Sequence, residues 1–262
     1  MNISLIIPVL LGWLAGLIVN YLADVLPFTR HLSRPNCPQC DASFTWKDYF
    51  LFRACPNGHP RKFRLWLVQF LMAALSIYIW IKPPTKLGFL IGLLLLIYFG
   101  LVFVIDMEHR LILHPTSIFG SLLGLIVGWL KWGLLPTLWG GLCGLLIMLA
   151  LYFFGVLFTR IRAKRMLARG EEADDEEALG AGDVILLTIL GLMLGWPFIW
   201  FGILFGILLG GLISFLLVFW LVVSRKYSKT ALMLFIPYGP YFITSATLII
   251  FFPKFLSMLL PK

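Results

Sequence analysis

Apolar positions in this chain do not alternate with polar ones; they gather into long unbroken runs separated by short polar stretches. Uncharged apolar segments of about 17 to 25 residues have the reach of a helix that crosses a bilayer. Runs of this kind fall at 3–22, 65–81, 87–105, 112–130, 134–159, 184–196, 198–223 and 231–252. The pattern predicts an all-α polytopic membrane protein with about eight transmembrane helices. The first run has no basic residues ahead of it, is longer than the apolar part of a secretory signal and leads to no small-residue cleavage site, so it is expected to be a retained helix.

Composition agrees with the pattern. With 61% hydrophobic residues, 13% charged residues and a mean hydropathy of +0.97, the chain cannot be an ordinary soluble domain. The connections after the first, third, fifth and seventh runs hold 16 of the 21 Lys and Arg. Basic loops stay in the cytoplasm, so both termini are expected outside and those four loops inside. The net charge of +9 then needs no nucleic acid partner; topology and attraction to anionic lipid account for it. The expected organisation is a helix at 1–22, a cytoplasmic cysteine-containing domain at 23–64 and a seven-helix membrane domain at 65–262 with a cytoplasmic loop at 160–182.

Two acids stand at the edges of apolar runs. Asp106 closes the run 87–105, and Asp183 follows Gly180-Ala181-Gly182 and opens the run 184–196. A carboxylate beside hydrocarbon is costly and usually functional. The predicted topology puts both on the cytoplasmic face. The sixth run is short, about 20 Å of helix against a hydrocarbon core of about 30 Å, which sets Asp183 slightly below the surface. The Gly180-Ala181-Gly182 segment is expected to be non-helical backbone lining a wet cavity. Paired carboxyls, one protonated and one ionised, can activate a water and polarise a carbonyl. Position alone also fits a helix cap at Asp183 and a plain polar turn over Asp106-Met107-Glu108-His109-Arg110.

The first cytoplasmic loop carries Cys37-Pro38-Gln39-Cys40 and, after 14 intervening residues, Cys55-Pro56-Asn57-Gly58-His59. Two such pairs can close a tetrahedral metal site, which predicts a small zinc-ribbon-like domain. A disulfide and unliganded thiols are the other readings, the former disfavoured in a reducing compartment. His31 competes with His59 as the fourth ligand, and Cys143 lies inside an apolar run as a packing residue. Gln69, within the second run, is expected to hydrogen-bond between helices.

The connection after the fifth run is split, with Arg160, Arg162, Lys164, Arg165 and Arg169 followed by Glu171, Glu172, Asp174, Asp175, Glu176 and Glu177. The basic half reads as a cytoplasmic anchor. The acidic half reads either as a solvated loop or as an attractor for a basic substrate.

Several segments now resemble one family. Gly180-Ala181-Gly182-Asp183-Val184 is similar to the GxGD signature of polytopic aspartyl proteases, and Ile105-Asp106, ahead of a polar turn and Pro115, resembles the first catalytic aspartate of type IV prepilin peptidases. Gly16, Asn20, Leu26-Pro27 and Cys37-Pro38-Gln39-Cys40 resemble that family's N-terminal region. Residues 191–196 resemble its helix after GxGD, and Ile236-Pro237-Tyr238-Gly239-Pro240-Tyr241 its C-terminal proline-glycine segment. These matches run in order over nearly the whole chain.

The resemblance implies an aspartic endopeptidase of the bacterial inner membrane. Such an enzyme removes the basic leader of type IV prepilins or type II secretion pseudopilins on the cytoplasmic side, typically just after a glycine. Many members also methylate the new N-terminus with S-adenosylmethionine. Asp106 and Asp183 inherit the catalytic role, with Gly180 and Gly182 as the backbone beside them. Family members commonly carry two CxxC pairs; here Gly58 stands at the expected fourth cysteine, so the implied ligand set is Cys37, Cys40, Cys55 and His59. The family also often has Lys two positions after the GxGD aspartate, where this chain has Ile185.

Two other classes share part of the pattern. A proton-coupled transporter also holds acids in a membrane, but usually with internal repeats and midplane charges, and neither is evident here. A noncatalytic membrane scaffold would keep the runs and the cysteine loop without needing either aspartate.

Overall fold

The computed structural model describes residues 5–168, 180–224 and 237–253. Among these it forms nine helices and no strand, with one isolated antiparallel bridge between Asn36 and Ser43. The helices are α1 (Ile6–Thr29), α2 (Trp46–Phe50), α3 (Phe63–Ile81), α4 (Gly88–His109), α5 (His114–Trp132), α6 (Leu134–Leu167), α7 (Ala181–Leu194), α8 (Phe198–Val223) and α9 (Gly239–Phe251). Five of them, α1, α3, α4, α6 and α8, are long and apolar enough to cross a membrane; α7 and α9 are apolar but shorter, at 14 and 13 residues. The acidic run 171–177, Arg169 and the stretch 231–236 lie outside the described residues.

Each apolar run holds a helix, but several helices outlast their runs. α1 continues to Thr29, α4 to His109 and α6 to Leu167. Hydropathy ends at the first charge, whereas a helix ends where its backbone hydrogen bonds stop. Arg, Lys, Leu and Met are good helix formers, so Arg160, Arg162, Lys164 and Arg165 simply extend α6. The expected polar turn over 106–110 is likewise the last turn of α4, closed by Arg110 in a left-handed conformation.

The chain divides into two compact units, 1–118 and 119–262. In the first unit α1, α3 and α4 pack together. α1 and α3 approach until their backbones nearly touch: a Cβ on Gly12 would lie 2.6 Å from the Ser76 side chain, and one on Gly16 would lie 2.8 Å from Gln69 Oε1. Small residues permit that approach, and polar side chains fasten it. Gln69 donates to the Trp13 carbonyl at 2.5 Å, as expected of an interhelical hydrogen bonder, Ser76 to that of Pro8 at 2.8 Å and Asn20 to that of Leu65 at 3.1 Å.

In the second unit α7 is the centre. Leu186, Leu187, Ile189, Leu190, Met193 and Leu194 are all essentially inaccessible. A helix apolar on every side is stable only when surrounded. α6 supplies the tightest contact: a Cβ on Gly191 would overlap the Gly140 carbonyl, and one on Gly144 would sit 2.5 Å from the Leu187 carbonyl. Trp132, at the end of α5, donates to the Met193 carbonyl at 3.3 Å and stacks on Phe198 at 4.5 Å. α9 packs on α8, where Ser245 donates to the Gly202 carbonyl at 2.8 Å. Pro237-Tyr238-Gly239-Pro240 leads into α9, with Pro at the helix start.

Candidate active site and metal centre

Asp106 belongs to the last turn of α4 and is buried, 4% exposed. Its carbonyl accepts the Arg110 N–H at 2.9 Å, the bond that closes the helix. Met107, immediately after it, is exposed, so the buried face of α4 ends at this aspartate.

Asp183 lies in the first turn of α7 and is partly buried. The helix begins at Ala181, so Gly182 is helical and only Gly180, the N-cap, is extended. This differs from the expected non-helical tripeptide. The reason is local: the Gly180 carbonyl accepts the Asp183 N–H at 3.1 Å, and the helix nucleates at once. Ile185 is 41% exposed and lies two positions beyond Asp183, about 200° around the helix and away from it.

The cysteine loop gathers Cys37, Cys40, Cys55 and His59, whose ligand atoms all lie within 4.8 Å of one another. Cys40 Sγ and Cys55 Sγ are 3.3 Å apart, and Cys37 Sγ is 3.8 Å from His59 Nδ1. The edge of a tetrahedral thiolate site is about 3.8 Å at a metal–sulfur distance of about 2.3 Å, so the donor set fits a metal. The sulfurs are too far apart for a disulfide, and all four cysteines are free. His31 is not part of the group.

Two tight turns present these ligands. The Asp41 N–H reaches the Cys37 carbonyl at 2.8 Å, and the Gly58 N–H reaches that of Cys55 at 2.7 Å. Gly58 has φ +84°, a conformation that disfavours any side chain, so the fourth ligand passes to His59. The Ala42 N–H holds the Cys40 thiol down at about 6; partial burial opposes this, and Cys55, Cys37 and His59 reinforce it. At Cys55 the Asn57 N–H favours the thiolate, but burial and the Cys40 and Cys37 thiols together push it above the usual value. A thiolate already favoured at Cys40 is a ready metal ligand.

A polar network missed in the sequence lies in the same unit. Tyr49 donates to Asp24 Oδ2 at 2.5 Å; Asp24 pairs with Arg64; Arg64 pairs with Glu108 at 3.2 Å; and Lys62 reaches Glu108 at 3.5 Å. Burial, then the charge and hydrogen bond of Asp24, raise the Tyr49 hydroxyl well above its ordinary range, so it stays a donor. The signal available was weak: Asp24 is the one acid in the helical stretch 6–29, and its partner stands 40 residues away.

A largely helical chain with five helices able to span a bilayer, and with a Cys3His cluster in one polar loop, is a membrane protein with a candidate metal centre. Residues 90–215 match the model of the type IV leader peptidase family. The matched segment includes both Asp106 and Asp183. No curated protein and no solved structure matches the chain.

Proposed function

We propose that this protein is a membrane-embedded aspartic endopeptidase that removes the basic leader of type IV prepilins or type II secretion pseudopilins. The observation that carries the reading is the family match over 90–215, a segment that contains both candidate aspartates. Asp106 and Asp183 act as a pair sharing one water. The ionised carboxylate takes a proton from that water, the neutral carboxyl polarises the scissile carbonyl, and the resulting hydroxide adds to the carbon. Collapse of the tetrahedral adduct expels the amine, which leaves with a proton from the pair.

In this reading the remaining apolar helices α5, α7 and α9 complete a set of eight membrane helices, with α7 buried among its neighbours instead of facing lipid. The protein sits in the bacterial inner membrane with both termini outside, and 23–64 forms a cytoplasmic domain. The Cys37, Cys40, Cys55 and His59 set supports structural zinc there. Gly180 and Gly182 leave room for substrate backbone beside Asp183. The family resemblance also carries methylation of the new N-terminus with S-adenosylmethionine as a second activity. Incubating purified protein with a prepilin peptide, with and without S-adenosylmethionine, followed by mass spectrometry, tests both. Release of the intact leader supports the peptidase, and added mass on the product only when the cofactor is present supports the methyltransferase. An uncut peptide contradicts the reading and favours a transporter or scaffold.

A further inference from the structure

The metal loop and the Asp106 end of α4 are joined by an unbroken line of polar contacts. Tyr49 is in the loop's own core with Cys37, Phe44 and Cys55, all 2–4% exposed. Its hydroxyl donates to Asp24 on α1, Asp24 pairs with Arg64 at the start of α3, and Arg64 pairs with Glu108 at 3.2 Å in the last turn of α4. Asp106 is two residues before Glu108. The backbone makes a second link: Arg61, Lys62 and Arg64 follow closely after His59. Arg61 lies over both the Phe44 and Tyr49 rings at 4.4 Å from each centroid, and Lys62 reaches Glu108 at 3.5 Å. Exposed ion pairs contribute little, but the Arg64 side chain is only 14% exposed and the side chains of its two acids 23%, although Glu108 as a whole residue is exposed. One guanidinium is shared by two carboxylates, so its loss leaves Asp24 only the Tyr49 hydroxyl and Glu108 only the more exposed Lys62.

We propose that Arg64 is a positioning residue that couples the Cys3His cluster to Asp106 through the chain Tyr49, Asp24, Arg64 and Glu108. The inference rests on the reading of Asp106 as catalytic. A filled cluster fixes His59 and the loop core, Tyr49 and Arg61 hold Asp24 and the start of α3, and Arg64 pins the last turn of α4. Emptying the cluster loosens that turn and lowers turnover without removing a substrate contact. Coupling of this kind is reciprocal, so a change at Glu108 must be felt by the metal.

The test uses the purified full-length protein loaded with zinc. Zinc release to a chromophoric chelator and steady-state cleavage of a prepilin peptide are measured for Glu108→Gln, Arg64→Gln, Arg64→Lys and Arg53→Gln. Arg53 pairs with Asp48 in the same loop but is exposed and off the chain, so it serves as control. Glu108→Gln is expected to speed zinc release about tenfold although α4 supplies no ligand, within the usual range of couplings. It should lower kcat by a similar factor and leave KM within about twofold. Arg64→Gln should match it, Arg64→Lys should recover part of both effects, and Arg53→Gln should change neither. Stripping zinc should reduce kcat in the wild type but add nothing in Glu108→Gln. Zinc release at the wild-type rate in folded Glu108→Gln and Arg64→Gln overturns the proposal, as does independent multiplication of the two effects or a protein that takes up no zinc. Asp106→Asn separates this from the underlying reading: if that variant still cleaves, the catalytic assignment fails, while the zinc-release comparison judges the coupling alone.

Discussion

Arg64 pairs with Glu108 at 3.2 Å, fastening the start of α3 to the final turn of α4 two positions beyond Asp106. The same guanidinium holds Asp24, which accepts the Tyr49 hydroxyl at 2.5 Å. Tyr49→Phe keeps the ring packing and removes this hydrogen bond together with the same hydroxyl's 3.2 Å contact to the Asn20 carbonyl. A bond to a charged acceptor contributes about 1.5–3 kcal/mol. Denaturant unfolding in detergent should show a loss of that size, and no loss would mean that the contact contributes nothing to stability.

The close packing of α6 on α7 makes a second expectation. A methyl at Gly191 meets the Gly140 carbonyl, which cannot move without shifting its helix. Gly191→Ala should cost about 1–3 kcal/mol through overpacking. A methyl at Gly211, on α8, would meet no atom within 4 Å, so Gly211→Ala should be neutral or stabilising by up to about 1 kcal/mol. Thermal unfolding of the two variants side by side measures the contrast.

The metal centre is checked by composition. Wild type should carry about one zinc per chain, Cys37→Ser and His59→Ala should lose it, and His59→Cys should keep it, since thiolate and imidazole both suit zinc. His31→Ala should leave the content unchanged, because His31 is outside the group of four. Gly58→Ala touches nothing, yet with φ +84° it should strain the turn by about 1–3 kcal/mol and hasten zinc release.

These residues also mark how far the sequence could be read. Apolar runs located the helices because lipid demands them, and the CxxC spacing pointed to the cysteine loop because a tetrahedral site needs short turns between donors, while His59 came from the family resemblance and His31 stayed its rival until the four side chains were seen together. Helix ends were harder: α1, α4 and α6 pass beyond their apolar runs, since charged residues propagate a helix as well as apolar ones do. The Gly180-Ala181-Gly182 backbone read as irregular from its glycines, but the hydrogen bond from Asp183 to Gly180 starts the helix at Ala181. The Asp24, Arg64 and Glu108 network was not legible at all. Its members are 40 and 44 residues apart, and nothing near a lone charge in the sequence identifies its partner.

Ile185 stands where the family resemblance leads one to expect lysine. On α7 the position is exposed and turned away from Asp183, because residues two apart do not face each other. Ile185→Lys should therefore leave kcat within about threefold and act, if anywhere, on KM. A large change in kcat, read from peptide cleavage, would show that the position reaches the reacting carboxyls.

In the proposed function Asp106 and Asp183 together cut a prepilin leader. Mass spectrometry of a prepilin peptide treated with zinc-loaded wild type, Asp106→Asn and Asp183→Asn tests it most directly. The expected result is one cut by the wild type, releasing the leader after a glycine, and a loss of at least about a thousandfold in each variant with fold and zinc content retained. Cleavage at the wild-type rate by either variant would contradict it.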